Sequence, residues 1–172
     1  MKFESRSLAA LRMTIVALAF LPAVAIAQES GIMLGTEAPA AAVATLNGKP
    51  ANLSQHVGKG PVVLEFWATW CPVCKELAPA MEELTKKYTG KVTFVNVAVS
   101  VNESPALVQR FVANHKMGGV QYFDTKGNAT EVYDVPATSY VVVVDRSGKV
   151  VYTGVGGDQG PKIEAAIKKV LQ

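Results

Sequence analysis

An α/β fold, with a central mixed β-sheet flanked by helices, is the class this sequence predicts, and three observations predict it. The run "PVVLEFWAT" (61–69) is continuously apolar and aromatic with Glu65 as its one charge, as in a strand buried on both faces, and it passes directly into a helix-spaced segment. A second apolar run, "KVTFVNVAVSV" (91–101), precedes a second helical segment, completing a βαβα pattern that favours a parallel pairing of the two strands. The C-terminal part then carries β-rich runs, two of them separated as in a hairpin, before a closing amphipathic helix.

In chain order, Lys2, Arg6 and Arg12 precede an apolar run from Met13 to Ala25 that ends in the small-x-small pattern Ala25-Ile26-Ala27. Residues 1–27 therefore read as a secretory signal peptide cleaved before Gln28. The competing reading, an uncleaved anchor reaching back to Leu8, would place Arg12 inside the apolar segment. Removing the leader leaves 145 of the 172 residues, a usual size for one domain, 28–172. The mature chain has 14 basic against 13 acidic side chains, a balance that gives no reason to propose nucleic acid or an acidic membrane as partner.

After small residues from Gly35 to Thr45, "LNGKPANLSQHVGKG" carries the turn signals Asn47-Gly48 and Gly58-Lys59-Gly60 and reads as a short hairpin-like entry. Beyond the strand at 61–69, Leu77, Ala78, Met81 and Leu84 recur at helical spacing between Cys74 and Lys87, and Pro79 is expected to kink that helix. The segment 104–115 starts with Ser104 as N-cap and Pro105 at the first helical position. "VQYFD", "TSYVVVVD" and "KVVYTGVG" are β-rich, the last two separated by Arg146-Ser147-Gly148. In "PKIEAAIKKVLQ" (161–172), Ile163, Ala166, Ile167 and Val170 share one face.

The only two cysteines, Cys71 and Cys74, lie three positions apart where the buried strand ends and the helix begins. They could be a structural staple, a metal clip or a redox pair. Outside the cytosol a disulfide persists, but this loop is so short that closing it removes little entropy from the unfolded chain. Two thiolates fall short of the four ligands of structural zinc, while copper(I) accepts soft thiolates at low coordination. A peroxidase would want an isolated cysteine in place of a vicinal pair. At a helix N-terminus the unpaired N–H groups and the dipole favour a thiolate at Cys71, whereas Cys74, one turn further in, is expected to be less exposed. That asymmetry fits Cys71 as attacking and Cys74 as resolving thiol. Glu65 is the one ionisable residue on the strand leading to the pair, and desolvation would raise its pKa until it could exchange a proton with Cys74 near neutrality. Trp70 beside the pair is expected to frame a substrate surface, and Pro72 and Val73 between the cysteines to tune the redox potential. His56 and His115 are expected on the surface, and Met81 in the core.

The segment "FWATWCPVCKELAP" resembles the active-site segment of the thioredoxin-like fold, most nearly that of the exported thiol-disulfide oxidoreductases of the TlpA/ResA type, within the wider AhpC/TSA and redoxin group. Glu65, Trp67, Trp70, Cys71, Cys74 and Pro79 match the family's positions, with Glu where thioredoxin has Asp. "GTEAPAAAVATLNGKPANLS" resembles the family's extra N-terminal segment, and helix 104–115 its central insertion, so the resemblance covers essentially the whole mature chain. It implies a periplasmic thiol-disulfide oxidoreductase that needs no cofactor beyond a redox-active Cys71–Cys74 disulfide. The implied partners are protein thiols or disulfides and a membrane-bound electron donor, with a monomer expected. It further implies action as a reductant in cytochrome c maturation or in preparing an oxidase copper site. A copper(I) chaperone using the same two sulfurs is the alternative.

One departure stands out. The family carries a cis-proline loop opposite the cysteines, and on "YDVPATSYVVVVD" the ungapped register keeps Tyr133, Val135 and Asp145 but puts Ser139 at the proline position, after Thr138. Either Ser139 replaces that proline, in which case the 138–139 bond is expected to be trans, or the loop is shortened and Pro136 serves. Thr138 and Ser139 are counted among the substrate-facing residues on the first account.

Overall fold

The computed structural model describes residues 31–172 of the chain, so the leader read at residues 1–27 lies outside the described residues. The sheet has seven strands. β1 (Ala42–Thr45) and β2 (Pro50–Asn52) form the antiparallel entry hairpin around Asn47-Gly48. β3 (Val62–Trp67), β4 (Thr93–Val99) and β5 (Val120–Asp124) run parallel, with Glu65 opposite Asn96 in the β3–β4 register. β6 (Tyr140–Val144) is antiparallel to β3 and to β7 (Val150–Val155). The spatial order is β2-β1-β5-β4-β3-β6-β7, which puts β3 in the interior with β4 on one flank and β6 on the other. Every residue of β3 is buried, as its unbroken apolar run requires of a strand covered on both faces.

Among the described residues four α-helices clothe the sheet: α1 (Pro72–Lys87), α2 (Pro105–His115), the five-residue α3 (Asn128–Val132) and α4 (Gly160–Leu171). Leu77, Met81 and Leu84 of α1 and Ile163 and Ile167 of α4 close one core with Val63, Phe94, Val141 and Val143 from the sheet. The other core joins Leu64, Phe66, Val95 and Val97 to Val108 of α2 and to Ala129 of α3. Tyr133, just after α3, is fully buried there and donates its hydroxyl to the Pro39 carbonyl.

α2 begins as its sequence requires: the Ser104 hydroxyl accepts from the Leu107 N–H at 3.3 Å, with Pro105 in the first turn. Ser104→Ala is expected to cost about 1 kcal/mol, the usual worth of such a cap, read as a lowered urea midpoint at unchanged slope.

The structure adds two elements to the sequence reading. β1 lies inside the small-residue stretch, and its strand character comes from pairing with β2 and β5 more than from its own residues. α3 is held from outside, because the fully buried Asp124 carboxylate accepts from the Ala129 and Thr130 N–H groups and from the Thr130 hydroxyl.

Candidate functional site

β3 ends at Trp67, and a short turn brings the chain to Cys71, whose N–H donates to the Ala68 carbonyl. Cys71 is the N-cap of α1 in extended conformation, Pro72 opens the helix, and Cys74 sits in its first turn. The two sulfurs are joined in a disulfide, and the Cys74 N–H donates to Cys71 Sγ at 3.0 Å. An N–H of the first helical turn therefore already points at the sulfur expected to carry negative charge once the bond is reduced.

The expected difference in exposure is not found in this disulfide form. Cys71 is 1% and Cys74 6% exposed, so the first cysteine is the more deeply covered. Chemical asymmetry between them rests instead on the N–H bond to Cys71 Sγ and on what lies behind Cys74. Around the pair, Trp70, Pro72 and Val73 are exposed. The Trp70 indole N–H donates to the Val101 carbonyl at 2.8 Å, and the Thr69 N–H donates to a Glu103 carboxylate oxygen at 2.5 Å. Both bonds moor the turn before Cys71 to the connection between β4 and α2. Sequence reasoning did not single out Glu103, since nothing in the residues before a helix cap shows that one of them reaches back to another loop.

Behind Cys74, on the β4 side of β3, lies a cavity of about 400 Å³. Its lining includes Glu65, Trp67, Cys74, Asn96, Phe111 and Met117, and does not include Cys71. Burial with no compensating partner pushes the Glu65 carboxyl up to about 7. The Trp67 indole N–H, in the lining of the same chamber, is buried without a hydrogen-bond partner. His115 lies exposed at the edge of this cavity, its Nδ1 2.9 Å from the Phe111 carbonyl oxygen. Met81 belongs to the α1 core.

On the β6 side, Ser139 is the residue set against β3, its N–H donating to the Phe66 carbonyl at 2.8 Å, while Pro136 is exposed in the loop before it. No cis peptide bond occurs among the described residues, and Ser139 adopts φ 64° in the left-handed region. The expectation that Ser139 faces a substrate needs correcting: the residue is 0% exposed, and its hydroxyl donates inward to the Gly156 carbonyl at 3.2 Å. The surface of this loop is made by Pro136 and Ala137, exposed, and by Thr138, half-buried. Gln159, 2% exposed, donates its amide to the Ser139 carbonyl at 2.9 Å and to the Gly156 carbonyl at 2.9 Å. No pattern in the sequence marks Gln159.

Among the described residues no group of three or more His, Cys, Asp or Glu side chains is placed to share a metal ion. What the arrangement can do is exchange a disulfide: two bonded sulfurs at a helix N-terminus, an N–H for the thiolate, and a carboxyl near neutrality behind the second sulfur.

Comparison with known proteins places this geometry. The Redoxin family profile matches residues 33–171. The thiol-disulfide oxidoreductase ResA of Bacillus thuringiensis subsp. konkukian is 32% identical over 143 residues, covering 83% of this chain and 82% of that protein. Among solved structures, a putative thiol:disulfide interchange protein DsbE from Chlorobium tepidum superposes with a TM-score of 0.73 at 28% identity, over 82% of this chain and 99% of that one. A secreted Mycobacterium tuberculosis disulfide oxidoreductase, described as homologous to DsbE of E. coli, gives a TM-score of 0.64 at 25% identity, over 74% and 94%.

Proposed function

The chain belongs to the redoxin family and is a thiol-disulfide oxidoreductase, and from that premise we propose that it reduces the disulfides of other proteins outside the cytoplasm, through Cys71 and Cys74. The observation that carries this reading is the cavity that reaches Glu65 and Cys74 but not Cys71, while the Cys74 N–H serves Cys71 Sγ.

In the dithiol form Cys71 is the thiolate, held by that N–H and the start of α1. It attacks one sulfur of a partner disulfide, forming a mixed disulfide and releasing the partner's other sulfur as a thiolate. Glu65 takes the proton of the Cys74 thiol, with water in the cavity as the carrier where the two do not touch. The Cys74 thiolate then attacks Cys71 Sγ, restoring the Cys71–Cys74 bond and freeing the partner, whose two thiolates take up one proton returned by Glu65 and one from solvent. Two electrons leave the protein in each cycle, so a donor must return them, and the family resemblance points to a membrane-bound one. Trp70, Pro72, Val73 and Thr138 supply the surface on which the partner rests. Extracytoplasmic placement is supported by the leader read at residues 1–27 and by a structural relative described as secreted. Among the described residues no helix is long and apolar enough to cross a membrane. The family resemblance points to disulfides formed by the thiols of apocytochrome c or of an oxidase copper site as substrates.

The test is the reduction potential of the couple, measured on residues 28–172 equilibrated in graded thiol buffers. A value near or below thioredoxin's ~−270 mV is expected. A value near ~−120 mV would make the protein an oxidant and reverse the direction proposed here.

A further inference from the structure

Gln159 lies outside every motif, yet its side chain ties three segments together. Its amide donates to the carbonyls of Ser139 and Gly156, and its Oε1 accepts from the Tyr152 hydroxyl at 3.1 Å, so the buried carboxamide is satisfied on both ends. Gly154 leaves room for it, and Gly157 lets the segment pack closely on α1. A Cβ on Gly154 would collide with the Tyr152 hydroxyl and with Gln159 Oε1, and one on Gly157 would come within 2.7 Å of Glu76 Cβ on α1.

Ser139 is held on every polar atom. Its N–H is on Phe66, its hydroxyl on Gly156, and its carbonyl accepts from the Gly156 N–H at 3.3 Å as well as from Gln159. A serine at φ 64° is in a sparsely populated conformation and persists only where its surroundings fix it. The segments 136–139 and 156–159 thus form one rim beside the end of β3 and the first turns of α1, where the disulfide lies. Its outer surface is made by the exposed Pro136 and Ala137, with Asp158 as its exposed charge, and Val155 beside it is exposed, as are Trp70, Pro72 and Val73 across the disulfide.

We propose that Gln159 is a positioning residue for thiol-disulfide exchange with proteins: by clamping Ser139 to Gly156 it fixes the rim on which a partner's cysteine-bearing segment lies, extended, beside Cys71. This deepens the reductant reading and rests on it. The clamp touches neither sulfur, so it governs how a polypeptide is seated and leaves the intrinsic reactivity of the pair unchanged. A substrate too small to reach the rim is indifferent to it.

The experiment compares two disulfides on one reduced enzyme: insulin, which must lie on the rim, and glutathione disulfide, which need not. With Gln159→Leu, kcat/KM for insulin is expected to fall at least tenfold, mainly through KM, while the rate constant with glutathione disulfide stays within twofold of the parent and the reduction potential is unchanged. Equal losses on both substrates, or no loss on insulin, would overturn the proposal. Should Gln159→Leu fail to fold, Tyr152→Phe removes only the hydroxyl that orients the carboxamide. It is expected to lower the insulin-to-glutathione ratio two- to fourfold, and an unchanged ratio overturns the proposal on its own. Failure of the parent enzyme to reduce insulin at all would instead strike the reductant reading.

Discussion

Cys74→Ser is expected to reduce no insulin in repeated turnover, at least about a hundredfold below the parent, and yet to accumulate a covalent adduct through Cys71. The serine hydroxyl cannot attack Cys71 Sγ, so the mixed disulfide formed in the first step has no internal exit. Cys71→Ser is expected to be equally inactive in turnover but to form no such adduct, because Cys74 lacks the N–H that faces Cys71 Sγ and opens towards the cavity. Intact-mass measurement after mixing each reduced variant with a protein disulfide distinguishes the two. This asymmetry is a stringent test because burial alone points the other way: in the disulfide form Cys74, at 6%, is slightly more exposed than Cys71, at 1%. An adduct on Cys71→Ser and none on Cys74→Ser would exchange the two roles.

Glu65→Gln is expected to make the protein more stable at alkaline pH and to flatten its stability profile. Burial raises the folded-state pKa of Glu65 from 4.5 to about 7, so between those values the folded chain holds a proton that the unfolded chain has lost. The contribution is therefore fully present below pH ~4.5, declines as pH rises, and is gone above ~7, an effect of about 3 kcal/mol. A glutamine cannot ionise and escapes that loss. Urea unfolding of both proteins at pH 4.5 and pH 8 is the measurement. The gap should open only at the higher pH, and parallel profiles would show that Glu65 is not charged in isolation. The same variant is expected to slow release of the mixed disulfide, since on the proposed mechanism Cys74 then lacks its proton acceptor.

How far the sequence could be read depended on whether a residue's role is written in its own neighbourhood. The strand–cysteine–helix junction was legible because burial, helix start and thiol spacing all fall within residues 61–87, and the resemblance carried by those residues extended to the fold. Ser104 and Pro105 announced α2 for the same reason. Glu103, Gln159 and the short α3 were not legible, because each owes its role to a distant partner: Thr69 for Glu103, Ser139 for Gln159, and the buried Asp124 for α3. The exposure of the cysteines was misjudged through the same gap. Helix position alone orders them by depth, whereas in the folded chain both are buried, Cys71 the more deeply. At Ser139 the register was readable, but the inward turn of the side chain depends on Gly156 and could not be.

The strand order β4-β3-β6 puts different features on the two flanks of the strand that leads to the disulfide. The cavity with Glu65 opens on the β4 flank, and the Ser139–Gly156 rim occupies the β6 flank. On the proposed mechanism a protein seated on the rim would cover the sulfurs from one flank and leave the cavity on the other flank uncovered, so the Cys74 proton could leave while the covalent complex lasts. A bulky client would then not have to depart before the chemistry that releases it is complete.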